Sequence, residues 1–328
     1  MHDPVAVSTA SECLANATVM DEESHTGVRR LQQAPVMLAV IIVTYGPSLT
    51  VLQRLVERVR ERADWIIVVD NGSPAEVVRW LSAHIPLAIR LPDNRGLATA
   101  QNLGVERARA LGASHVIFFD QDSSPEASML NILVATWKQL QAHGEQVAVV
   151  APQVIDRRRK ESLPLFRIER WRLRRIRCSD RIGILPIHTA IASGSLIPLT
   201  ALDVVGPFRD ALFIDLVDID WCLRAHRLGF RAFAACDAVL SHHLGDRPRR
   251  IAGRDITLHS PERTYYFIRN ALWLSLSQPL PMPWKWAIIR QAIRRSLFLI
   301  LFASPRTHYA RYTVRACRDA LTGRLGPA

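Results

Sequence analysis

Residues 65–74 read Trp65-Ile66-Ile67-Val68-Val69-Asp70-Asn71-Gly72-Ser73-Pro74. Five consecutive apolar residues, mostly β-branched, suit a strand buried on both faces. The polar cluster behind them is dense in turn formers and stops the strand. The same pattern brackets this stretch. Upstream, Met37-Leu38-Ala39-Val40-Ile41-Ile42-Val43 is broken by Tyr45-Gly46-Pro47, and Leu52, Leu55, Val56 and Val59 then recur at helical spacing. Downstream, a helix over 75–83, a short strand over 87–91 and a helix over 97–111 lead to His115-Val116-Ile117-Phe118-Phe119. Asp120-Gln121-Asp122-Ser123-Ser124-Pro125 ends that strand. Strands alternating with helices predict right-handed βαβ crossovers, hence an α/β fold with a mainly parallel sheet flanked by helices. Ligands bind such sheets beyond the carboxyl ends of the strands, where Asp70, Asp120 and Asp122 fall.

The second half predicts a strand over 147–154, a hairpin or loop over 157–181, an apolar strand over 189–198, a helix over 215–228, a strand over 230–240 and helices from Pro261 onward. Residues 1–36 are polar, lack a basic region followed by an apolar run, and read as a disordered leader. The stretch 287–303 contains Arg290, Arg294 and Arg295 and falls short of the ~20 apolar residues of a membrane span.

With 328 residues, 49% apolar and 22% charged, the chain is globular, which excludes disorder as its dominant state. Its net charge of +12 is concentrated. Residues 157–181 hold eleven Lys/Arg against three Asp/Glu, and residues 285–328 nine against one, leaving the remainder net acidic. Such patches suit phosphates, nucleic acid or an anionic membrane surface. Nucleic acid is disfavoured, because no recognition motif is present and the acids gather where a sheet binds ligands. The cysteines at 13, 178, 222, 236 and 317 show no C-x-x-C spacing, and an odd count suits a disulfide framework poorly. Reduced thiols in a cytosolic protein are expected.

Several motifs carry chemistry, each beside a plainer reading. Asp120 and Asp122, one residue apart at a strand end, can hold Mg²⁺ or Mn²⁺ beside a diphosphate; equally, Asp122 or Ser123 could cap a helix that Pro125 begins. Asp70 can accept hydrogen bonds from a ribose or base, or merely build a turn. Asn94 and Gly96 open a helix whose small residues and N-terminus could admit an anionic ligand, or simply allow tight packing. Asp215, Asp218 and Asp220 lie among large apolar residues. Asp218 and Asp220 are two positions apart, so both cannot face one apolar side, and one carboxylate pointing into a cleft could act as a general base. The plainer reading is helix-dipole acids, with Asp220 paired to Arg224. His242 could add to a metal or diphosphate site, and Arg269 could pair with a phosphate; a surface histidine and an aromatic core face beside an exposed arginine are the alternatives.

Taken in order, Val40-Ile41-Ile42-Val43-Thr44-Tyr45, Val69-Asp70-Asn71, the segment from Asn94 to Gly104, Phe119-Asp120-Gln121-Asp122-Ser123, Ser193-Gly194-Ser195, the segment from Phe213 to Arg224, His242-His243-Leu244-Gly245-Asp246 and the segment from Tyr265 to Asn270 resemble the family 2 glycosyltransferases of GT-A fold. Phe-Asp-Gln-Asp-Ser and the Asp-rich segment ending Trp-Cys-Leu-Arg resemble the bacterial rhamnosyltransferase branch. The resemblance implies a Rossmann-like GT-A domain over 37–275, and residues 276–328 read by their own composition as a basic, amphipathic helical extension. It implies an inverting sugar transfer from a nucleotide sugar, dTDP-rhamnose among the family's donors, to a glycan or lipid-linked acceptor in cell-surface polysaccharide synthesis. Carried over by position, Thr44, Asp70, Asn94 and Gly96 would lie at the donor, with Asp120 and Asp122 holding the metal. Asp218 would be the base, with Asp220 and Asp215 as rivals because Val217 stands where the family's motif has Glu. His242 would join the metal site, and Arg269 would sit near the diphosphate. Trp284, Trp286, Ile289, Ile293, Leu297 and Ile300 with Arg290 and Arg294 would suit a peripheral helix at an anionic inner leaflet, or a helix packed on the domain. A nucleotidyltransferase, which also combines carboxylates, metal and an α/β sheet, is the rival enzyme class.

Overall fold

In chain order the first half runs β1 (Leu38–Thr44), α1 (Leu49–Arg60), β2 (Trp65–Asn71), α2 (Ala75–His84), β3 (Ala88–Leu91), α3 (Leu97–Ala110), β4 (His115–Asp120), β5 (Ser124–Pro125), α4 (Met129–Ala142) and β6 (Val147–Asp156). The second half runs β7 (Glu161–Ser162), β8 (Leu165–Glu169), β9 (Arg172–Ile176), β10 (Ile184–Ile187), β11 (Leu196–Pro198), α5 (Leu199–Val205), α6 (Val217–Arg227), β12 (Arg231–His242), β13 (Pro248–Ile251), β14 (Arg254–Thr257), α7 (Pro261–Ser277), α8 (Met282–Phe302) and α9 (Arg306–Leu321). This computed structural model describes residues 35–156, 161–178, 183–242, 248–251, 254–257 and 259–328. The expected leader lies outside them except for its last two residues.

The main sheet has the order β10-β12-β6-β11-β4-β1-β2-β3, with β5 added to β12 and β7 to β6. Strands β3, β2, β1 and β4 are parallel, as are β6 and β12; β11 runs antiparallel between β4 and β6, and β10 antiparallel to β12. The parallel expectation therefore holds for the nucleus of the sheet, while the second half makes it mixed. Both faces of β1 are buried: Ala39 and Ile41 join one apolar cluster, Leu38, Val40 and Ile42 the other. That is why its sequence is apolar without alternation, each such side chain contributing roughly 1.5–3 kcal/mol on burial. Helix α3 lies directly on β1, because Gly104 leaves room for Ile41; a Cβ there would stand 2.4 Å from the Ile41 Cγ2.

Three expectations are corrected. Pro125 does not begin a helix: it lies in β5, paired with β12, and α4 starts four residues later. The stretch 189–198 is strand only at β11, with isolated bridges from Thr189 and Ser193. Cys178 and Cys236 form a disulfide, their Cα atoms 5.3 Å apart. They are 58 residues apart in sequence, and the return of the chain after β9 onto β12 brings them together, which no short-range spacing could reveal. Of the free thiols, Cys222 is buried and pushed up to about 12, so it stays protonated and is no nucleophile.

Of the Arg-rich stretch, β8 and β9 form the hairpin that was one of its two expected forms, with Trp171 at its tip 81% exposed. Helices α7, α8 and α9 pack on one another, and Trp284, Ile288, Ala292 and Ala316 join the main core. The outward side of α8 carries Trp286, Ile293, Leu297 and Leu301. The apolar stripe thus differs from the expected one, because Ile289 and Ile300 are half-buried while Trp286 and Leu301 face out. No helix among the described residues is long and apolar enough to cross a membrane.

Candidate active site

Strand register builds the site. Thr44 pairs with Asp70 across β1 and β2, and Val43 with Asp120 across β1 and β4. The ends of three adjacent parallel strands therefore present Thr44, Asp70 and Asp120 along one edge. Thr44 Oγ1 donates to Asp70 Oδ1 at 2.9 Å and the Ser73 amide to Asp70 Oδ2 at 3.1 Å; both Thr44 and Asp70 are fully buried. Asp70 is thus the turn builder of the plainer reading, its carboxylate fixed at the strand-end edge. Gln121 ties the loop after β4 to the end of β1, accepting from the Tyr45 amide at 2.7 Å and donating to its carbonyl at 3.3 Å. Ser193 accepts from the Asp120 amide and meets the Ser123 hydroxyl at 2.9 Å. The small Ser193-Gly194-Ser195 segment thus supports the acidic loop from beneath, a role the sequence reading did not give it. Asp122, next to that support, lines a cavity of about 160 Å³ with Arg54, Arg58 and Ser124.

Asn94 Oδ1 accepts from Asn71 Nδ2 and from the Gly96 amide, both at 3.0 Å, which anchors the loop before α3 to the end of β2. The start of α3 is not open to an anion, however. The amides of Leu97 and Ala98 both donate to the Phe213 carbonyl, which caps the helix from another part of the chain. Gly96 has a φ of +90°, and a Cβ would lie 2.7–2.9 Å from Phe213 atoms. Gly96→Ala is expected to destabilise the protein by roughly 2–5 kcal/mol, through positive-φ strain and overpacking together; urea unfolding at neutral pH measures it, and a change under 1 kcal/mol would show that Phe213 yields freely.

The three rival aspartates separate clearly. Asp220 is 1% exposed; Arg209 Nε donates to both its oxygens, at 3.1 and 3.0 Å, and Arg224 Nε to Oδ2 at 3.0 Å. A buried carboxylate held by two guanidinium groups is a structural anchor of α6. Asp215 sits before the helix in the left-handed region, φ 64°, with Oδ1 3.5 Å from Arg263 and Oδ2 lacking a hydrogen-bond partner. Asp218 Oδ2 accepts from the Ala192 amide at 3.0 Å and Oδ1 from the Ile219 amide at 2.8 Å. Burial raises the Asp218 carboxyl to about 6, the two amide bonds oppose that, and the negative charge of Asp120 adds to the rise. Asp218 therefore lies within electrostatic reach of Asp120, whose strand ends beside β1 and Asp70.

Arg269 lies elsewhere than the resemblance implied. It is 0% exposed, it donates to the carbonyls of Gly326, Ala211 and Leu212 and to Asn270 Oδ1, and its guanidinium stacks on Tyr265 and Tyr266. Its donors face backbone carbonyls, so none is turned toward a diphosphate. His242 ends β12, paired with Asp156; its side chain, like residues 243–247, lies outside the described residues.

The sheet thus presents carboxylates at the ends of adjacent parallel strands, with Asp218 within electrostatic reach of Asp120. The family model Glycosyl transferase family 2 matches residues 39–198. Over 291 residues, 87% of this chain and 96% of the other, the sequence is 29% identical to the dTDP-rhamnosyl transferase RfbF of Shigella flexneri. Residues 39–198 thus carry a family 2 glycosyltransferase domain, and the protein is a glycosyltransferase enzyme. Solved structures share the GT-A fold. S. aureus TarS 1–349 in complex with UDP-GlcNAc superimposes with a TM-score of 0.55 at 15% identity, covering 88% of this chain and 81% of that one. GalNAc-T7 with UDP, GalNAc and Mn²⁺ gives 0.52 at 13% identity, covering 82% of this chain; the present chain spans 58% of the length of GalNAc-T7.

Proposed function

We propose that this protein transfers a sugar, rhamnose from dTDP-rhamnose, with inversion onto a hydroxyl of a glycan or lipid-linked saccharide in cell-surface polysaccharide synthesis. The observation that carries the reading is the nearness of the Asp218 carboxylate to Asp120, at the strand-end edge marked by Thr44 and Asp70. The sugar and its nucleotide are supported by the similarity to the S. flexneri dTDP-rhamnosyl transferase. In this reading the nucleotide would lie along the edge that Thr44 and Asp70 mark, near the loop anchored by Asn94 and shaped by Gly96. The acceptor hydroxyl gives its proton to Asp218, whose carboxyl, at about 6, is ionised at neutral pH and basic enough to take it. The hydroxyl oxygen then attacks the anomeric carbon from the face opposite the departing diphosphate. One displacement inverts the centre without a covalent intermediate.

Asp120 and Asp122 would hold Mg²⁺ or Mn²⁺, with His242 as a further ligand. Among the described residues no three His, Cys, Asp or Glu side chains converge. Two carboxylates completed by the donor's phosphate oxygens and water are a donor set that suits these hard cations. The metal would supply charge neutralisation to the leaving diphosphate.

To test the donor, thermal unfolding is followed with Mn²⁺ and each of dTDP-rhamnose, UDP-glucose, UDP-GlcNAc and GDP-mannose. A shift largest with dTDP-rhamnose, with release of dTDP on turnover, supports the reading. A larger shift with a UDP or GDP sugar moves the donor. Pyrophosphate release from a nucleoside triphosphate would favour a nucleotidyltransferase.

Residues 37–275 are read as the catalytic domain and 276–328 as its membrane-facing extension on the inner leaflet. The support is the outward α8 row of Trp286, Ile293, Leu297 and Leu301, beside the exposed Arg290 and Arg294 and the half-buried Lys285. Sedimentation with vesicles containing phosphatidylglycerol should weaken as salt rises, because screening acts over about 8 Å at physiological ionic strength. Binding that Trp286→Ser with Leu297→Ser leaves unchanged would exclude this face.

A further inference from the structure

The four residues ahead of Val217 hold an unusual backbone. Phe213 has φ 66° and ψ −67°, and the Ile214 amide donates to the Leu212 carbonyl at 2.8 Å, which together define a γ-turn of the strained, positive-φ kind. Asp215 and Leu216 follow at φ 64° each, in the left-handed region, although neither is glycine. Such a run persists only where its surroundings over-determine it. Asp218 is the second residue of the helix that starts immediately afterwards, so the turn sets where its carboxylate points.

The restraints come from α7 and from residues near 326. Asn270 Nδ2 lies 2.9 Å from each of the carbonyls of Leu212, Ile214 and Asp215. Asn270 Oδ1 is itself held by Arg269 Nε and a terminal guanidinium nitrogen. The same nitrogen reaches the carbonyls of Ala211 and Leu212, and the other one reaches Gly326. Gly326 closes the ring, its amide donating to the Ala211 carbonyl at 2.7 Å, and the Ala328 amide donates to the Tyr266 hydroxyl. Tyr266 stacks on Phe213 with ring centroids 4.7 Å apart. The Phe213 carbonyl caps α3 beside Gly96. One turn therefore touches both the base helix and the loop assigned to the donor.

We propose that Arg269 and Asn270, closed by residues 326–328, form a clamp that positions the Phe213–Leu216 turn and thereby sets turnover without touching substrate. This rests on the reading of Asp218 as the base. Arg269 and Asn270 are positioning residues. Their loss lets the turn relax toward ordinary φ values and draws the Asp218 carboxylate away from the amides of Ala192 and Ile219.

The test compares the whole chain with a variant lacking residues 326–328, Asn270→Ala, Arg269→Ala and Arg269→Lys. Tyr309→Phe, which removes a hydroxyl bonded to the His259 carbonyl, serves as a stability control, and Asp218→Asn is run in parallel. The substrate is the nucleotide sugar giving the largest thermal shift, and the readout is steady-state release of nucleoside diphosphate well below each melting temperature. The expected result is a kcat about 10–100-fold lower for the deletion and for Asn270→Ala, as for a misplacement of order 1 Å. The donor KM stays within about twofold, and the acid limb of the kcat profile moves away from about pH 6. Arg269→Lys recovers part of what Arg269→Ala loses, and Tyr309→Phe keeps both kcat and the acid limb. If Asn270→Ala does not fold, the deletion and Arg269→Lys decide. Wild-type kcat and acid limb in the deletion and in Arg269→Ala, with Asp218→Asn inactive, would overturn the clamp and leave the base in place. An active Asp218→Asn would instead overturn the base, and with it the role given to the clamp.

Discussion

Asp218→Asn is expected to lower turnover by roughly 10²–10⁴-fold, the usual worth of a positioned general base, while donor binding persists. The base must be ionised to accept a proton, and burial with the nearby Asp120 charge raises Asp218 to about 6. Wild-type kcat should therefore fall as pH drops through about 6, and the Asn variant should lack that limb. The stability consequence has a definite sign. A carboxyl whose folded value lies above its usual 3.8 costs the native state stability when ionised. That cost is fully present above about pH 6 and vanishes as pH falls toward 3.8. Asp218→Asn should therefore melt at or above the wild-type temperature at pH 8. Asp220→Asn should behave oppositely, melting below the wild type at pH 8, because Arg209 and Arg224 then lose part of a buried carboxylate partner. Single-turnover transfer by the Asn variants of Asp215, Asp218 and Asp220 at equal donor saturation is the decisive comparison. A near-normal Asp218→Asn beside an inactive Asp215→Asn would transfer the role to Asp215, whose Oδ2 has no hydrogen-bond partner.

Asp122→Ala should abolish measurable transfer with little change in melting temperature. The Asp122 side chain is only half-buried, on a loop that Ser193 and Gln121 also hold. A nucleoside diphosphate leaves with growing negative charge, and the carboxylates of Asp120 and Asp122 would repel it unless a divalent cation intervened. EDTA should therefore inhibit the wild type, and Mn²⁺ or Mg²⁺ should restore activity to the wild type but not to Asp122→Ala. Full activity after thorough metal removal would sink this assignment.

The α/β nucleus could be read from sequence because its signals are local. A strand buried on both faces must be apolar without alternation, as β1, β2 and β4 are. A strand leaving the core must turn polar within a residue or two, as at Asp70 and Asp120. Residues 189–198 misled because an apolar loop packed under the acidic turn needs the same composition as a strand. Asp120 and Asp122 could be picked out for the same local reason, and the spacing of Asp218 and Asp220 already implied that they part company on α6.

Only tertiary structure decided which of the two faces the cleft. That depends on Arg209, eleven residues from Asp220, and on the Ala192 amide, twenty-six residues from Asp218. Arg269 looked like a phosphate ligand, and its burial is decided by carbonyls 57 or 58 residues away. The Cys178–Cys236 bond and the capping of α3 by Phe213 have the same origin. Sequence periodicity reports which side of an element is dry, because solvent acts on every residue alike. It carries no record of which distant donor reaches a given carboxylate or carbonyl, since that follows from how the chain closes on itself.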